Sequence, residues 1–151
     1  MTTAQRVPVV LMVEDDPGDA LMVTEALERS ATPPRLYVAG DGEQALAYLR
    51  REGEHADAAR PDLILMDLNM PRLDGRETLS IIKADKALRA IPVVLFTTSD
   101  AAGDVLASYQ SHANAYVTKP LDLEGLENAV EEIGRFHTTI STLLPPEPGP
   151  V

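Results

Sequence analysis

The sequence predicts an α/β protein built on a doubly wound, five-stranded parallel sheet with helices on both faces. Five short apolar runs lack polar alternation, which is typical of strands buried on both faces. Amphipathic stretches separate these runs, so each strand connects to the next through a helical crossover. Because such crossovers are right-handed, few topologies remain, and the strand order 2-1-3-4-5 suits a sheet of this size.

The predicted elements alternate along the chain. We predict strands at residues 7–13, 35–39, 62–67, 91–97 and 115–118, and helices at 18–30, 41–52, 75–84, 100–111 and 122–136. Asp16 followed by Pro17 marks the first helix start, because aspartate caps a helix well and proline fits its first turn. Residues 51–61 are expected to form a long polar loop.

Composition limits the classes of function. The 151 residues are 44% hydrophobic and carry a formal net charge of −11, which disfavours nonspecific binding to nucleic acid or anionic membrane. The absence of cysteine excludes disulfides, thiol catalysis and cysteine-ligated metals. No signal peptide or apolar run of the roughly 20 residues that span a bilayer is recognisable. We therefore expect a cytoplasmic protein with neither a nucleic-acid nor a membrane partner.

The chain is expected to contain one domain over residues 1–137 and an extension over residues 138–151. The extension is apolar at first and then proline-rich, a composition typical of a segment that is flexible at its end. No second, DNA-binding or catalytic, domain is expected.

Polar residues follow four of the predicted strands. Each has an ordinary explanation alone, such as a helix cap for an aspartate or solvation for a lysine. However, the carboxyl ends of parallel strands meet at one edge of a sheet, where ligands bind. The residues concerned are Glu14 and Asp15 after strand one, Asp67 after strand three, Thr97 ending strand four and Lys119 after strand five.

These residues predict a metal-assisted phosphoryl site. Strands one and three should be neighbours, which brings Glu14, Asp15 and Asp67 together, and three close carboxylates repel one another unless a cation compensates. Oxygen ligands with open water positions suit Mg²⁺. A metal beside Lys119 would hold an anion, with phosphate the leading candidate, and a carboxylate can itself accept a phosphoryl group.

The chain resembles the receiver domains of two-component response regulators over about residues 7–136. The resemblance is carried by VEDD (13–16), LMDLNMP (65–71), DG (74–75), FTTS (96–99) and AYVTKP (115–120). It implies that Asp67 accepts the phosphoryl group of a sensor histidine kinase. It also implies that Asp15 binds Mg²⁺ or Mn²⁺ directly, that Glu14 helps through water, and that Asp67 and the backbone carbonyl of Asn69 complete the protein ligands.

The resemblance assigns further roles around this centre. Thr97 and Lys119 would each bind a phosphoryl oxygen, and Thr97 together with Tyr116 would form the conformational switch. The Lys119–Pro120 peptide would be cis, a conformation rare outside X-Pro bonds. Asn69 and Ser99 would tune the lifetime of the phosphorylated state, with slow self-dephosphorylation rather than conventional enzyme activity.

The chain also resembles phytochrome-associated single-domain response regulators. The resemblance is carried by EDDPGDALMVTEAL (14–27), the long loop 51–61, FTTSD (96–100), ANAYVTKPLDLEGL (113–126) and the apolar residues after helix five, Phe136, Ile140, Leu143 and Leu144. That similarity implies a histidine kinase photoreceptor, such as a bacteriophytochrome, as phosphodonor, and a homodimer formed through helix 4, strand 5 and helix 5.

Two alternative functions belong to other classes of protein. A Mg²⁺-dependent phosphatase with an aspartate nucleophile would need a second aspartate, but Leu68 and Asn69 follow Asp67. A phosphorylation-independent interaction module would not need the intact acidic and lysine set.

Overall fold

The computed structural model describes residues 6–147 and contains the predicted sheet. The strands are β1 (Val9–Val13), β2 (Arg35–Ala39), β3 (Leu63–Met66), β4 (Val93–Thr97) and β5 (Ala115–Thr118). The helices are α1 (Pro17–Glu28), α2 (Gly42–Leu49), α3 (Gly75–Ala84), α4 (Ala102–Gln110) and α5 (Leu123–Arg135). All strands are parallel in the order β2-β1-β3-β4-β5, which confirms the predicted fold.

Side chains of β1 alternate between two apolar layers. Val10 and Met12 belong to the layer formed with α1 and α5. Leu11 and Val13 belong to the opposite layer, formed with α2 and α3. Because β1 is buried along its whole length, it needs apolar residues on both faces, and this explains the uninterrupted run VVLMV.

The polar loop predicted at residues 51–61 contains a short 3₁₀-helix, Gly53–His55. The ring of His55 meets the rings of Tyr37 and Tyr48 edge-on, at centroid distances of 5.3 and 5.7 Å. The Tyr48 hydroxyl donates a hydrogen bond to the carbonyl of Ala59 (2.9 Å). These contacts pack the segment against β2 and α2.

The chain beyond α5 also makes specific contacts. A π-helical turn, Phe136–Ile140, extends α5 past its predicted end. Leu144 then packs against the core layer of α2 and α3, and its carbonyl accepts a hydrogen bond from Arg6 (3.0 Å). Glu147 pairs with Arg51 through both carboxylate oxygens (2.8 and 2.9 Å). Of the extension predicted at residues 138–151 to be flexible at its end, residues 148–151 lie outside the described part of the chain.

Among residues 6–147, no helix combines the length and apolarity required to cross a bilayer.

Candidate functional site

Strand register brings the predicted acidic residues to one edge of the sheet. Val13 lies opposite Met66, so Glu14 and Asp67 follow their strands at the same level. The Asp67 amide donates to the carbonyl of Val13 (3.0 Å), which fastens Asp67 to β1. Glu14, Asp15 and Asp67 each offer an oxygen ligand atom, and these atoms all lie within 4.8 Å of one another.

Lys119 lies at the centre of these carboxylates. Its side chain is 5% exposed, and its ammonium donates to Glu14 Oε1 (2.5 Å), Asp19 Oδ2 (2.9 Å) and Asp67 Oδ2 (3.3 Å). The structure therefore brings together the lysine after strand five with the acids after strands one and three, as the sequence predicts. Lys119 compensates part of the negative charge that these acids concentrate.

Burial and neighbouring charges shift the pKa values of Glu14 and Lys119. Burial raises the pKa of Glu14, against the opposing effect of its hydrogen bond with Lys119. Burial alone would lower the pKa of Lys119, but hydrogen bonds with Glu14 and Asp19 and the nearby charge of Asp67 raise it above its ordinary value. Lys119 therefore stays protonated beside these carboxylates.

Asp19 is a site residue that the sequence did not reveal. It lies in the first turn of α1, where an acidic residue is explained by the helix dipole and draws no further attention. Its partner Lys119 is 100 positions away in the chain, so local pattern could not identify the contact.

The loop after Asp67 is held by local hydrogen bonds and a close backbone approach. The Asn69 amide donates to Asp67 Oδ1 (3.3 Å), while the side chain of Asp74 caps α3 by accepting from the Glu77 amide (2.9 Å). The Gly75 amide donates to the carbonyl of Leu68 (2.9 Å). The DG pair of the sequence therefore begins α3 directly beside the backbone of Asp67.

Thr97 is fully buried at the end of β4. The Ser99 amide donates a long hydrogen bond to the Thr97 hydroxyl oxygen (3.5 Å), and the Ser99 hydroxyl donates to Asp104 Oδ2 (2.6 Å). The Tyr116 hydroxyl donates to the carbonyl of Ser99 (2.7 Å). The two residues predicted to form a switch, Thr97 and Tyr116, thus both contact the backbone of Ser99.

One sequence expectation about this edge was wrong. Residues 6–147 contain no cis peptide bond, so the Lys119–Pro120 peptide is trans. An X-Pro bond still favours trans by roughly 0.5–1 kcal/mol unless its surroundings select the cis form. Here the trans bond already allows the Lys119 ammonium to reach Glu14 and Asp67.

The donor chemistry fits a hard divalent cation. Glu14 is buried, Asp67 is half-buried and Asp15 is exposed, so the carboxylates extend from the interior toward solvent. Carboxylate oxygens beside open water positions are the ligands that Mg²⁺ and Mn²⁺ use in proteins. Glu14, Asp15 and Asp67 are the residues that would hold such an ion.

Comparison with known proteins identifies the family. The family model described as response regulator receiver domain matches residues 10–131. This chain belongs to the response regulator receiver family. The receiver is 44% identical over 135 residues to response regulator Rcp1 from Synechocystis sp., covering 89% of this chain and 92% of that protein.

Solved structures agree with this assignment. The receiver superposes with a TM-score of 0.88 on the phosphorylated cyanobacterial phytochrome response regulator RcpA, at 44% identity, over 91% of this chain and 99% of that chain. It superposes with a TM-score of 0.87 on the Mn²⁺-bound form of Rcp1, at 43% identity and the same coverage. The predicted similarity to phytochrome-associated response regulators is confirmed.

Proposed function

We propose that this receiver accepts a phosphoryl group onto Asp67 from the phosphohistidine of a sensor histidine kinase in the cytoplasm, and signals by protein contact. The observation that carries the proposal is the convergence at Asp67 of two further carboxylates and the Lys119 ammonium. Asp67 is a half-buried nucleophile at the end of a rigid strand, and Lys119 is a fixed cation beside it. A site of this kind supports transfer mainly through positioning and charge neutralisation.

The proposed step is a displacement at phosphorus. A carboxylate oxygen of Asp67 forms a bond to phosphorus while the bond from phosphorus to the histidine nitrogen breaks, and the electron pair stays on the imidazole. A Mg²⁺ ion held by Glu14, Asp15, Asp67 and the Asn69 carbonyl would neutralise charge on the phosphoryl oxygens. Lys119 and Thr97 donate to those oxygens after transfer. Water then slowly attacks the phosphorus, the bond from phosphorus to the Asp67 oxygen breaks, and the carboxylate and inorganic phosphate are released.

The identity of the donor kinase is proposed from similarity. The structurally similar proteins include the cyanobacterial phytochrome response regulator RcpA and a bacteriophytochrome response regulator, AtBRR, at 35% identity. A histidine kinase photoreceptor of the phytochrome type is therefore the proposed phosphodonor. Asn69 and Ser99, which lie beside Asp67 and Thr97, are proposed to tune how long the phosphoryl group survives.

Phosphorylation is expected to occur at a single aspartate. Incubation with acetyl phosphate and Mg²⁺ should add one phosphoryl group to the intact mass of the wild-type chain. The Asp67→Asn variant should stay unlabelled because its side-chain amide cannot act as the carboxylate nucleophile. Removal of Mg²⁺ by chelation should also abolish labelling. Labelling of Asp67→Asn, or its absence from every sample, would contradict the proposed function and favour a phosphorylation-independent module.

The switch and the dimer are proposed to share one face. The face comprises α4, β5 and α5, and it exposes apolar residues of α4 and of the turn after α5: Leu106, Tyr109, Phe136 and Ile140. Ala115 on β5, together with Ile133, Phe136 and Ile140, lines a groove there. When Thr97 moves toward a phosphoryl group, Tyr116 would change its contact with Ser99 and alter this same face.

Homodimerisation through this face predicts that a charged residue on the face disrupts the dimer, whereas a charged residue elsewhere on the surface does not. Leu106→Asp should produce a monomer in sedimentation, because an ionised carboxylate in an apolar interface lacks a partner. Leu21 on α1 has the same exposure as Leu106, 59%, so Leu21→Asp is a matched control that should still dimerise. Both variants should be measured with and without a phosphoryl mimic. A wild-type monomer under both conditions would overturn the dimer.

A further inference from the structure

Lys119 has as many carboxylate partners as it has hydrogens to donate. A protonated lysine carries three N–H donors, and three different carboxylates lie around its nitrogen, at 2.5, 2.9 and 3.3 Å. The tightest contact is to Glu14 and the longest is to Asp67. Each carboxylate therefore affects how strongly Lys119 holds the other two.

These three partners have different relations to the proposed metal. Glu14 and Asp67 lie in the acidic cluster with Asp15, so a divalent ion bound there shares both of these carboxylates with Lys119. Asp19 is outside that cluster, and its hydrogen bond with Lys119 (2.9 Å) connects it to the site. Its own position is fixed, because it lies in the first turn of α1 and its amide donates to the capping oxygen of Asp16 (3.1 Å).

We propose that Asp19 is a positioning residue, which occupies one hydrogen of Lys119 and so keeps Asp67 available to the metal and to the phosphoryl group. The proposal rests on the function proposed for Asp67 and names a regulator of that same site. Without the Asp19 carboxylate, Lys119 keeps two carboxylate partners, and the more distant of them, Asp67 at 3.3 Å, has room to approach the ammonium more closely. A tighter pair between Lys119 and Asp67 then competes with the divalent ion.

The test compares two variants that lose the same charge from the same helix terminus. Asp19→Asn replaces a charged acceptor of Lys119 with a neutral one, and hydrogen bonds to neutral groups are about half as strong. Asp16→Asn removes a charge three residues away, where the side chain bonds to the amides of Gly18 and Asp19; asparagine also caps helices well. Calorimetric titration with MgCl₂ measures the dissociation constant of each protein.

We expect Asp19→Asn to raise the Mg²⁺ dissociation constant about fivefold, equivalent to roughly 1 kcal/mol. Asp16→Asn should raise it less than about twofold at low salt and leave it unchanged at high salt, since exposed charges are screened. The effect of Asp19→Asn should persist at high salt because Lys119 is buried. Asp19→Glu, which restores the charge, should recover part of the affinity.

The same substitution made in a protein that lacks the lysine shows whether Asp19 acts through Lys119. In a Lys119→Met protein, adding Asp19→Asn should change the Mg²⁺ dissociation constant no more than Asp16→Asn does. Equal effects of the two single variants, or an undiminished effect without Lys119, would overturn the proposal, as would a wild-type protein that binds no Mg²⁺. Thermal unfolding of each variant verifies that it is folded. Failure of Asp67 labelling in a wild type that binds Mg²⁺ would refute the proposed function alone.

Discussion

Replacing Gly75 by alanine is expected to lower the free energy of unfolding by roughly 3 kcal/mol, the upper range for overpacking a buried site. A Cβ atom at this position would lie 2.1 Å from the carbonyl oxygen of Asp67 and 2.7 Å from the Cα of Leu68. Both are backbone atoms, so no side-chain rotation can relieve the overlap. The backbone that carries Asp67 must move, and we expect Mg²⁺-dependent phosphorylation to fall together with stability.

Urea unfolding and phosphoryl labelling measure the two effects. Gly103→Ala is the matched control, because no atom lies within 4 Å of its added Cβ and Gly103 also lies in a helix, α4. That variant should be unchanged or more stable by up to about 1 kcal/mol, the difference in helix propensity between glycine and alanine. Wild-type stability and labelling in Gly75→Ala would show that the loop after Asp67 adjusts without cost.

Replacing Asp62 by alanine is expected to cost about 3 kcal/mol of unfolding free energy, the lower range for breaking a buried ion pair. The Asp62 side chain is 1% exposed and accepts from both terminal nitrogens of Arg6 (2.5 and 2.7 Å) and from the Val9 amide (2.8 Å). The substitution leaves the Val9 amide without its acceptor at the start of β1. Arg6 is 40% exposed, so water compensates part of its loss.

An exposed ion pair provides the comparison. Arg76 donates to Asp104 at 2.8 Å, with side chains 48% and 38% exposed, and such pairs contribute about 0–1 kcal/mol. Arg76→Ala should therefore shift the urea midpoint far less than Asp62→Ala. If the two variants lose similar stability, the buried carboxylate of Asp62 does not organise the beginning of β1 in the way its contacts indicate.

The sequence alone was sufficient for the fold and for most of the acidic centre. Uninterrupted apolar runs such as VVLMV predict buried parallel strands, and the observed order β2-β1-β3-β4-β5 follows that prediction. Glu14, Asp15 and Asp67 could be placed together because parallel strands end at the same edge of a sheet. The family resemblance rests on these same residues and on Lys119.

Only the tertiary structure decided how Lys119 is shared and where the chain after α5 lies. Lys119 and Asp19 are 100 positions apart, and Arg51 and Glu147 are 96 apart. Contacts of this kind depend on side-chain direction and on the packing of whole elements, which periodicity along the chain does not encode. The trans bond before Pro120 is also decided by the tertiary structure. The two isomers of an X-Pro bond differ by only about 1 kcal/mol, so the surrounding fold selects between them.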